Sequence, residues 1–551
     1  MKLKKALTLL VWSIILPTHL GRLRTQPNII VIIADDLGWN DVSFHGSNQI
    51  LTPNIDALAF NGIILRRHYV QPSCTPSRTA FLTGRYPLRD GMQGDPLMVG
   101  DPRAIPLTTK LLPEYLQDLG YSNYLVGKWH VGYSKESYTP AKRGYDNFFG
   151  YYNAYISYFN HSVAISGHTG NDLHYDNAFE LKPKFSMEYM TDLITERAEA
   201  IIASHDPSKP MYLQISHIAP HSSMLGGYFV LEVKDSSRMN ATFSYIQDYE
   251  RRKLAGLVEG LDESVGRVMT SLARANLLEN SIVLFMADNG AEPVGYAKNS
   301  GSNYPLRGMK LSLFDGGVRG TACVYSPLMK NPMQISNRLF HISDWLPTLY
   351  HAAGGDTKDL GEDIDGRNQW PVLSDYSENS ETIRHSIILN IDERKNTSSA
   401  ISGRYKLLRR AEQRGDGFYG EATDKNREDY PPYDYSRVFG SASALAIAQV
   451  SSSSPNKLNR DQITRLREES MVVCQRRPDT YADCSDSCLF DIFNDPCEYE
   501  DLSSNYPETV EKLERFLQDY DRFLIKQAPP FTDPLSFPER SNGTWMPWLP
   551  L

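Results

Sequence analysis

A cysteine with an arginine four residues on, and two turns rich in oxygen donors, are the groups here whose types and spacing could do chemistry. The cysteine opens the run Cys74-Thr75-Pro76-Ser77-Arg78, which continues to Gly84. Thr75 can cap a helix, Pro76 suits a first helical position and Gly84 suits an end, so a short helix is expected with Cys74 at its mouth. The spacing of four puts Cys74 and Arg78 on one face. A helix N-terminus beside a guanidinium is an anion site, here with a reactive side chain at its centre. The competing reading is a cysteine that merely packs in a core.

The oxygen donors stand where two apolar runs end. Asn28-Ile29-Ile30-Val31-Ile32-Ile33-Ala34 suits a strand buried on both faces, and it runs into Asp35-Asp36. Ser281-Ile282-Val283-Leu284-Phe285-Met286-Ala287 is a second such run, ending in Asp288-Asn289-Gly290. Open α/β sheets place their ligands at the carboxyl ends of parallel strands. Adjacent carboxylates repel unless a cation holds them, so the two turns together imply a hard divalent ion. A solvated turn would explain either one alone. A third run, Tyr121 to His130, reads as a strand with Lys128 and His130 at its exit. Lying two apart in an extended segment, they share a face suited to one anionic group; by themselves they would pass as surface residues.

The Cys-Thr-Pro-Ser-Arg run, with Leu82-Thr83-Gly84 behind it, resembles the signature of the type I sulfatases, whose cysteine is oxidised to formylglycine. Tyr121 to His130 resembles the second signature of that family, departing where Asn123 replaces a serine or threonine. The resemblance implies one calcium ion on Asp35, Asp36, Asp288 and Asn289, with the modified Cys74 as a further ligand. It places His221, in Ala219-Pro220-His221, in a catalytic role and leaves His217 as an extra neighbour. It makes Lys310 a sulfate-binding lysine beside Arg78 and Lys128. His221 would protonate the departing alcohol, and His130 would assist release of sulfate from residue 74. A formylglycine-generating enzyme is the implied partner during maturation. The implied fold class is α/β: a large mixed sheet sandwiched by helices, alkaline phosphatase-like, with a smaller C-terminal antiparallel sheet plus helix. In pattern the chain is nearest the arylsulfatase B group, which implies a small sulfated substrate. Two kinds are expected, a sugar of the N-acetylgalactosamine 4-sulfate type or a small dietary glycoside such as a glucosinolate. Tyr151, Tyr152, Tyr155, Tyr158, Phe159 and His161 are expected either to stack on such a ring or to form an aromatic core. The rival functions are a phosphatase or phosphonate hydrolase of the same superfamily and a non-catalytic glycan-binding relative.

These residues need a large scaffold, and 551 residues with 41% apolar content supply a large core and a second, smaller domain. The expected organisation is a signal peptide over 1–20, a catalytic domain over 26–380 and a C-terminal domain over 381–551 with an exposed, flexible insertion near 411–470. Between them the chain alternates strands and helices, with an amphipathic helix within 250–278. The basic start and short apolar run predict export, to the exterior or the lysosome, with no membrane span. Sequons at Asn160, Asn240, Asn396 and Asn542 suit N-glycans on that route. A net charge of −9 argues against a nucleic-acid partner. Beside Cys74 stand Cys323, Cys474, Cys484, Cys488 and Cys497; the last four predict local disulfides of undecided pairing.

Overall fold

The computed structural model describes residues 26–175, 187–377, 382–411, 415–419, 430–450, 458–474 and 481–550. The signal segment expected over 1–20 lies outside them. Every residue of β1 (Asn28–Ala34) is buried, as its unbroken apolar run requires of a strand covered on both faces. The other members of its sheet are β2 (Ile63–Leu65), β3 (Ser122–Lys128), β4 (Asn147–Tyr151), β5 (His174–Tyr175), β6 (Met211–Ser216), β7 (Ser281–Ala287), β8 (Ala322–Tyr325) and β9 (Gln334–Ser336). They lie in the order β9-β2-β8-β7-β1-β6-β3-β4-β5. The central strands from β7 to β4 run parallel, whereas β8 and β5 are antiparallel to their neighbours, so the sheet is mixed. β1 and β7 pair from Asn28 opposite Ser281 to Ala34 opposite Ala287. That register sets Asp35-Asp36 beside Asp288-Asn289.

Alternate residues of β1 enter different cores. Ile30 and Ile32 pack with the helices Met190–Ser204 and Tyr249–Arg274, while Ile29, Val31 and Ile33 pack with Cys74–Thr83 and Trp345–Ala352. The apolar stripe of Tyr249–Arg274 (Leu254, Leu257, Val258, Leu261, Val265, Val268, Leu272) is wholly buried, and each such side chain contributes about 1.5–3 kcal/mol by leaving water. The second sheet is the antiparallel meander β10 (Ser386–Asp392), β11 (Thr397–Ser402), β12 (Tyr405–Arg409) and β13 (Ser487–Asp491), with the helix Pro507–Asp521 burying Leu513 and Leu517 on it. The architecture is the α/β class expected, with the small antiparallel sheet and helix at the C-terminal side.

Two local expectations are corrected, the exposed insertion and the start of the cysteine helix, and the two-way reading of the aromatic run is resolved. Within the stretch expected as an exposed insertion, the described residues include the helices Tyr435–Phe439, Ala442–Val450 and Arg460–Ser470, which bury Val438, Ala446, Ile447, Ile463 and Leu466 in the main core. Serine and alanine there are small residues on a helix that packs closely, with alanine the best helix former. The aromatic run is core: Tyr151, Tyr152, Tyr155, Tyr158 and His161 are buried, and Phe159 is half-buried against them. The helix at the cysteine starts one residue before the expected cap, because Ser73 holds the extended capping conformation. Arg307 donates to the carbonyls of Asp416, Glu498 and Ala482. The local disulfides are Cys474–Cys497 and Cys484–Cys488, and Cys74 and Cys323 are free and buried. Asn160, Asn396 and Asn542 are exposed and Asn240 is half-buried. Among the described residues no helix is long and apolar enough to cross a membrane.

Candidate active site

The strand ends, the helix Cys74–Thr83 and the loops after β6 and β7 converge on one buried cluster. Cys74 is the first residue of its helix, and Gly84 ends it in the left-handed conformation (φ 68°), its N–H donating to Ala80. Arg78, one turn on, donates from Nε and Nη2 to Asp288 Oδ2 at 3.1 and 2.8 Å. Lys128, at the last position of β3, donates to Asp35 Oδ2 at 2.6 Å. Lys310 donates to Asp36 Oδ2 at 2.7 Å and lies 3.2 Å from His221 Nε2. Three buried cations therefore face three buried carboxylates one to one.

Inside this cluster two oxygens, Asp35 Oδ1 and Asn289 Oδ1, are buried without a hydrogen-bond partner. Asn289 turns its amide nitrogen to Asp36 Oδ1 (2.7 Å) and the Gly290 carbonyl (2.8 Å), which frees its oxygen inward. Ligand atoms of Asp35, Asp36 and His221 all lie within 4.8 Å of one another. Asp288 Oδ1 instead accepts from the Asp36 N–H at 3.3 Å and its Oδ2 is given to Arg78. Buried carboxylate and amide oxygens are the donors a hard divalent cation takes, so the residues fit calcium. Backbone strain gathers at the same place: Asp36, His130 and Leu311 hold φ of 61°, 56° and 73°. Gly290 is required for a different reason, since a Cβ there would stand 1.8 Å from the Gly316 carbonyl oxygen.

Burial pushes the Cys74 thiol up, against the pull of Lys128 and Lys310, so the free residue is no thiolate. Thr75, expected as a cap, accepts the Leu97 N–H (3.0 Å) and donates to the His130 carbonyl (3.2 Å). His130 Nε2 donates to the Leu97 carbonyl at 2.9 Å, and its buried Nδ1 has no partner. Burial, with Lys128 beside it, holds the His130 imidazole well below its usual range. His221 donates from Nδ1 to the Ser222 carbonyl at 2.5 Å, leaving Nε2 for the cluster. Burial lowers His221 too, with Asp36 pulling the other way. His217 is used elsewhere: its Nε2 bonds Ser264 Oγ of the helix Tyr249–Arg274 at 2.9 Å, and burial takes it down to about 3.

The structure thus brings together Asp35, Asp36, Arg78, Lys128, His221, Asp288, Asn289 and Lys310, with His130 tied to the cysteine helix through Thr75. Sequence reasoning missed the residues that pin the loops. Asn299 donates to the Asp36 and Pro220 carbonyls (2.8 and 3.3 Å), Asn303 accepts from Ala291 N (2.9 Å), and Tyr158 donates to the His221 carbonyl (3.0 Å). Asn299 and Asn303 lie in Asn299-Ser300-Gly301-Ser302-Asn303, whose composition reads only as a loop.

Residues 27–355 match the family described as Sulfatase. The chain is 34% identical over 535 residues to arylsulfatase J of Mus musculus, spanning 95% of this chain and 80% of that protein. It is 30% identical over 344 residues to the N-acetylgalactosamine-6-sulfatase of Rattus norvegicus, spanning 60% of this chain and 62% of that one. Among solved structures, the crystal structure of Ps i-CgsB superposes with a TM-score of 0.68 at 24% identity, covering 93% of this chain and 96% of that chain. The PsFucS1 sulfatase from Pseudoalteromonas sp. superposes at 0.63 with 21% identity, covering 92% of each chain. These two likenesses concern the fold. Sequence match and site geometry agree: the chain belongs to the sulfatase family and is a sulfuric ester hydrolase.

Proposed function

We propose that the enzyme releases inorganic sulfate from a sulfated sugar or small glycoside, using formylglycine at position 74 and one calcium ion. The observation that carries this reading is the balance of Arg78, Lys128 and Lys310 against Asp35, Asp36 and Asp288 around two unpartnered oxygens. With Glu292 3.8 Å from Lys310, the cluster as it stands holds three cations and four carboxylates, a formal charge of minus one. A divalent cation held by Asp35, Asp36, Asp288 and Asn289 would turn that into one net positive charge, which the single negative charge of a sulfate ester would balance. Calcium would supply a Lewis acid toward the sulfate oxygens, and formylglycine a hydrated aldehyde with a hydroxyl to attack sulfur. Arg78, Lys128 and Lys310 would then hold the sulfate and neutralise the charge that develops on it. His221, fixed by Ser222 through Nδ1, would hand the departing alcohol a proton from Nε2 as an imidazolium, the form that Asp36 at 3.5 Å favours, and would return to the neutral ring. His130, anchored through Nε2 to Leu97, keeps Nδ1 free to hold a proton as residue 74 is cleared of sulfate.

A sugar of the N-acetylgalactosamine 4-sulfate type is the first choice, with a dietary glycoside such as a glucosinolate second. The arylsulfatase B-like motifs support it; the name of the relative that is 30% identical, N-acetylgalactosamine-6-sulfatase, supports the sugar but places the sulfate at another position. Maturation by a formylglycine-generating enzyme and export, to the exterior or the lysosome, complete the reading; the two disulfides and the exposed sequons suit that route. Mass spectrometry of the peptide spanning residue 74 should find the thiol replaced by an aldehyde, and full activity from unmodified thiol would refute it. Specificity constants should rank N-acetylgalactosamine 4-sulfate above a glucosinolate and an aryl sulfate, with a phosphate ester far behind. A leading phosphate ester would refute the reaction, and a leading steroid sulfate would refute the substrate class.

A further inference from the structure

Beyond His221, aromatic rings continue outward from the site in an unbroken line. The Tyr155 ring lies parallel to His221, with centroids 6.4 Å apart, and Phe229 meets Tyr155 edge-on at 5.1 Å. Tyr296 meets Phe229 edge-on at 5.0 Å and is 74% exposed. Each ring is held by the site's own framework. Tyr155 Oη donates to the Ala164 carbonyl at 2.6 Å. Phe229 belongs to the hairpin Ser223–Leu225/Tyr228–Val230, which starts two residues after His221, and its cross-strand partner Met224 touches Tyr155 Oη at 3.8 Å. The loop carrying Tyr296 follows Asp288-Asn289. It is tied back by Ser222 Oγ donating to the Ala297 carbonyl (2.7 Å) and by Ala297 N donating to Glu292 (3.1 Å), whose other oxygen lies 3.8 Å from Lys310 Nζ.

Tyr296, edge-on to Phe229 at the end of this line and otherwise in water, offers a free ring face to a stacking partner. We propose that Phe229 and Tyr296 form a platform for the sugar ring joined to the sulfated one, so that the substrate is an oligosaccharide and not an isolated monosaccharide. The proposal rests on the sugar-sulfate reading above. Since His221 protonates the departing alcohol, the sugar bearing that alcohol lies on the His221 side, and the next ring along the chain meets the aromatic line. The occupant is a pyranose, whose C–H face stacks on an aromatic ring while its hydroxyls stay in water.

The test compares N-acetylgalactosamine 4-sulfate with a chondroitin 4-sulfate trisaccharide carrying the same sulfated sugar at its non-reducing end. The readout is the ratio of kcat/KM, trisaccharide over monosaccharide. The wild-type ratio should be about two- to tenfold, expressed in KM, as one good ring contact supplies. Tyr296→Ala should bring the ratio close to one and Tyr296→Trp should keep it; equal melting temperatures would certify that the variants fold. A wild-type ratio near one, or a ratio that Tyr296→Ala leaves unaltered, would overturn the platform. Turnover of an aryl sulfate with neither sugar accepted would overturn the sugar-sulfate reading, and the platform with it.

Discussion

Among the described residues, Arg78 and Asp288 form the one pairing of opposite charges around Cys74 made by a guanidinium, with two of its nitrogens on one carboxylate oxygen and both side chains out of water. Asp288 also stands beside Asp35, and burial together with that neighbour pushes its carboxyl up, against Arg78. Removing the carboxylate leaves a guanidinium unpaired in the interior. Asp288→Ala should therefore abolish turnover even at saturating substrate and lower stability by about 3–5 kcal/mol, measured by denaturant unfolding. Near-normal turnover would move the reaction centre elsewhere. The two neighbouring histidines separate on leaving groups. His221→Ala should slow a sugar sulfate far more than nitrophenyl sulfate, whose phenolate departs without a proton, by about 10²–10⁴-fold. His217→Ala should act on stability only, because its ring serves Ser264. Equal losses on both substrates would exchange the two assignments.

Among the elements, the helix Pro53–Asn61 is held by two buried acids, Asp262 from another helix and its own Asp56. Asp262, on the helix Tyr249–Arg274, accepts the N–H groups of Asn54 and Ile55 at 3.0 and 2.9 Å, a cap supplied by another helix. Asp56 accepts from Ser43 at 2.7 Å, Thr52 at 2.9 Å and Tyr433, which comes from the helical segment read in sequence as loose. Burial raises Asp262 to about 7 and Asp56 to about 6. The folded chain then binds protons that the unfolded chain releases. Their contribution is whole below the unfolded carboxylate range and is lost as pH rises through 6 and 7. Buried histidines act oppositely: His68 and His217, held down to about 4 and about 3, cost stability as pH falls through the ordinary imidazole range. The two effects are separated by substitution. Asp262→Asn should destabilise more at about pH 5 than at about pH 8, read from paired urea melts. A penalty that grows with pH would refute the raised carboxyl.

At the scale of the molecule, the small sheet is locked to the large one by buried charge. Lys406 of β12 contacts Asp315 at 2.8 Å and Glu498 at 2.7 Å, all three wholly or almost wholly inaccessible. Arg384, just before β10, grips Asp344 at the head of the helix Trp345–Ala352. The two sheets should therefore unfold together, and a ligand at the carboxylate cluster should stabilise both. Chelation with EGTA should abolish turnover and lower the single melting transition, by about 2.7 kcal/mol for an ion present at a hundred times its dissociation constant. Calcium should restore both. A melting curve and turnover indifferent to chelation would refute the metal assignment.

The sequence by itself determined the strand ends, the cysteine helix and the long amphipathic helix, because each is a local pattern: an apolar run closed by acids, a cap–proline–glycine frame, a stripe at helical spacing. It determined the pairing of Asp35-Asp36 with Asp288-Asn289 only once two such runs were taken as neighbours in a parallel sheet. Tertiary structure alone decided the rest. His217 and His221 stand four apart with similar surroundings in sequence, and only Ser264, brought in by a distant helix, removes His217 from the chemistry. The serine- and alanine-rich stretch carries no large apolar stripe, so its burial follows from the surface it meets and not from its own pattern. The aromatic residues at 151–159 are the same kind of residue as Phe229 and Tyr296, yet most of them fill the core while Tyr296 meets water. Composition cannot make that distinction, since whether a ring packs or binds depends on which elements close over it.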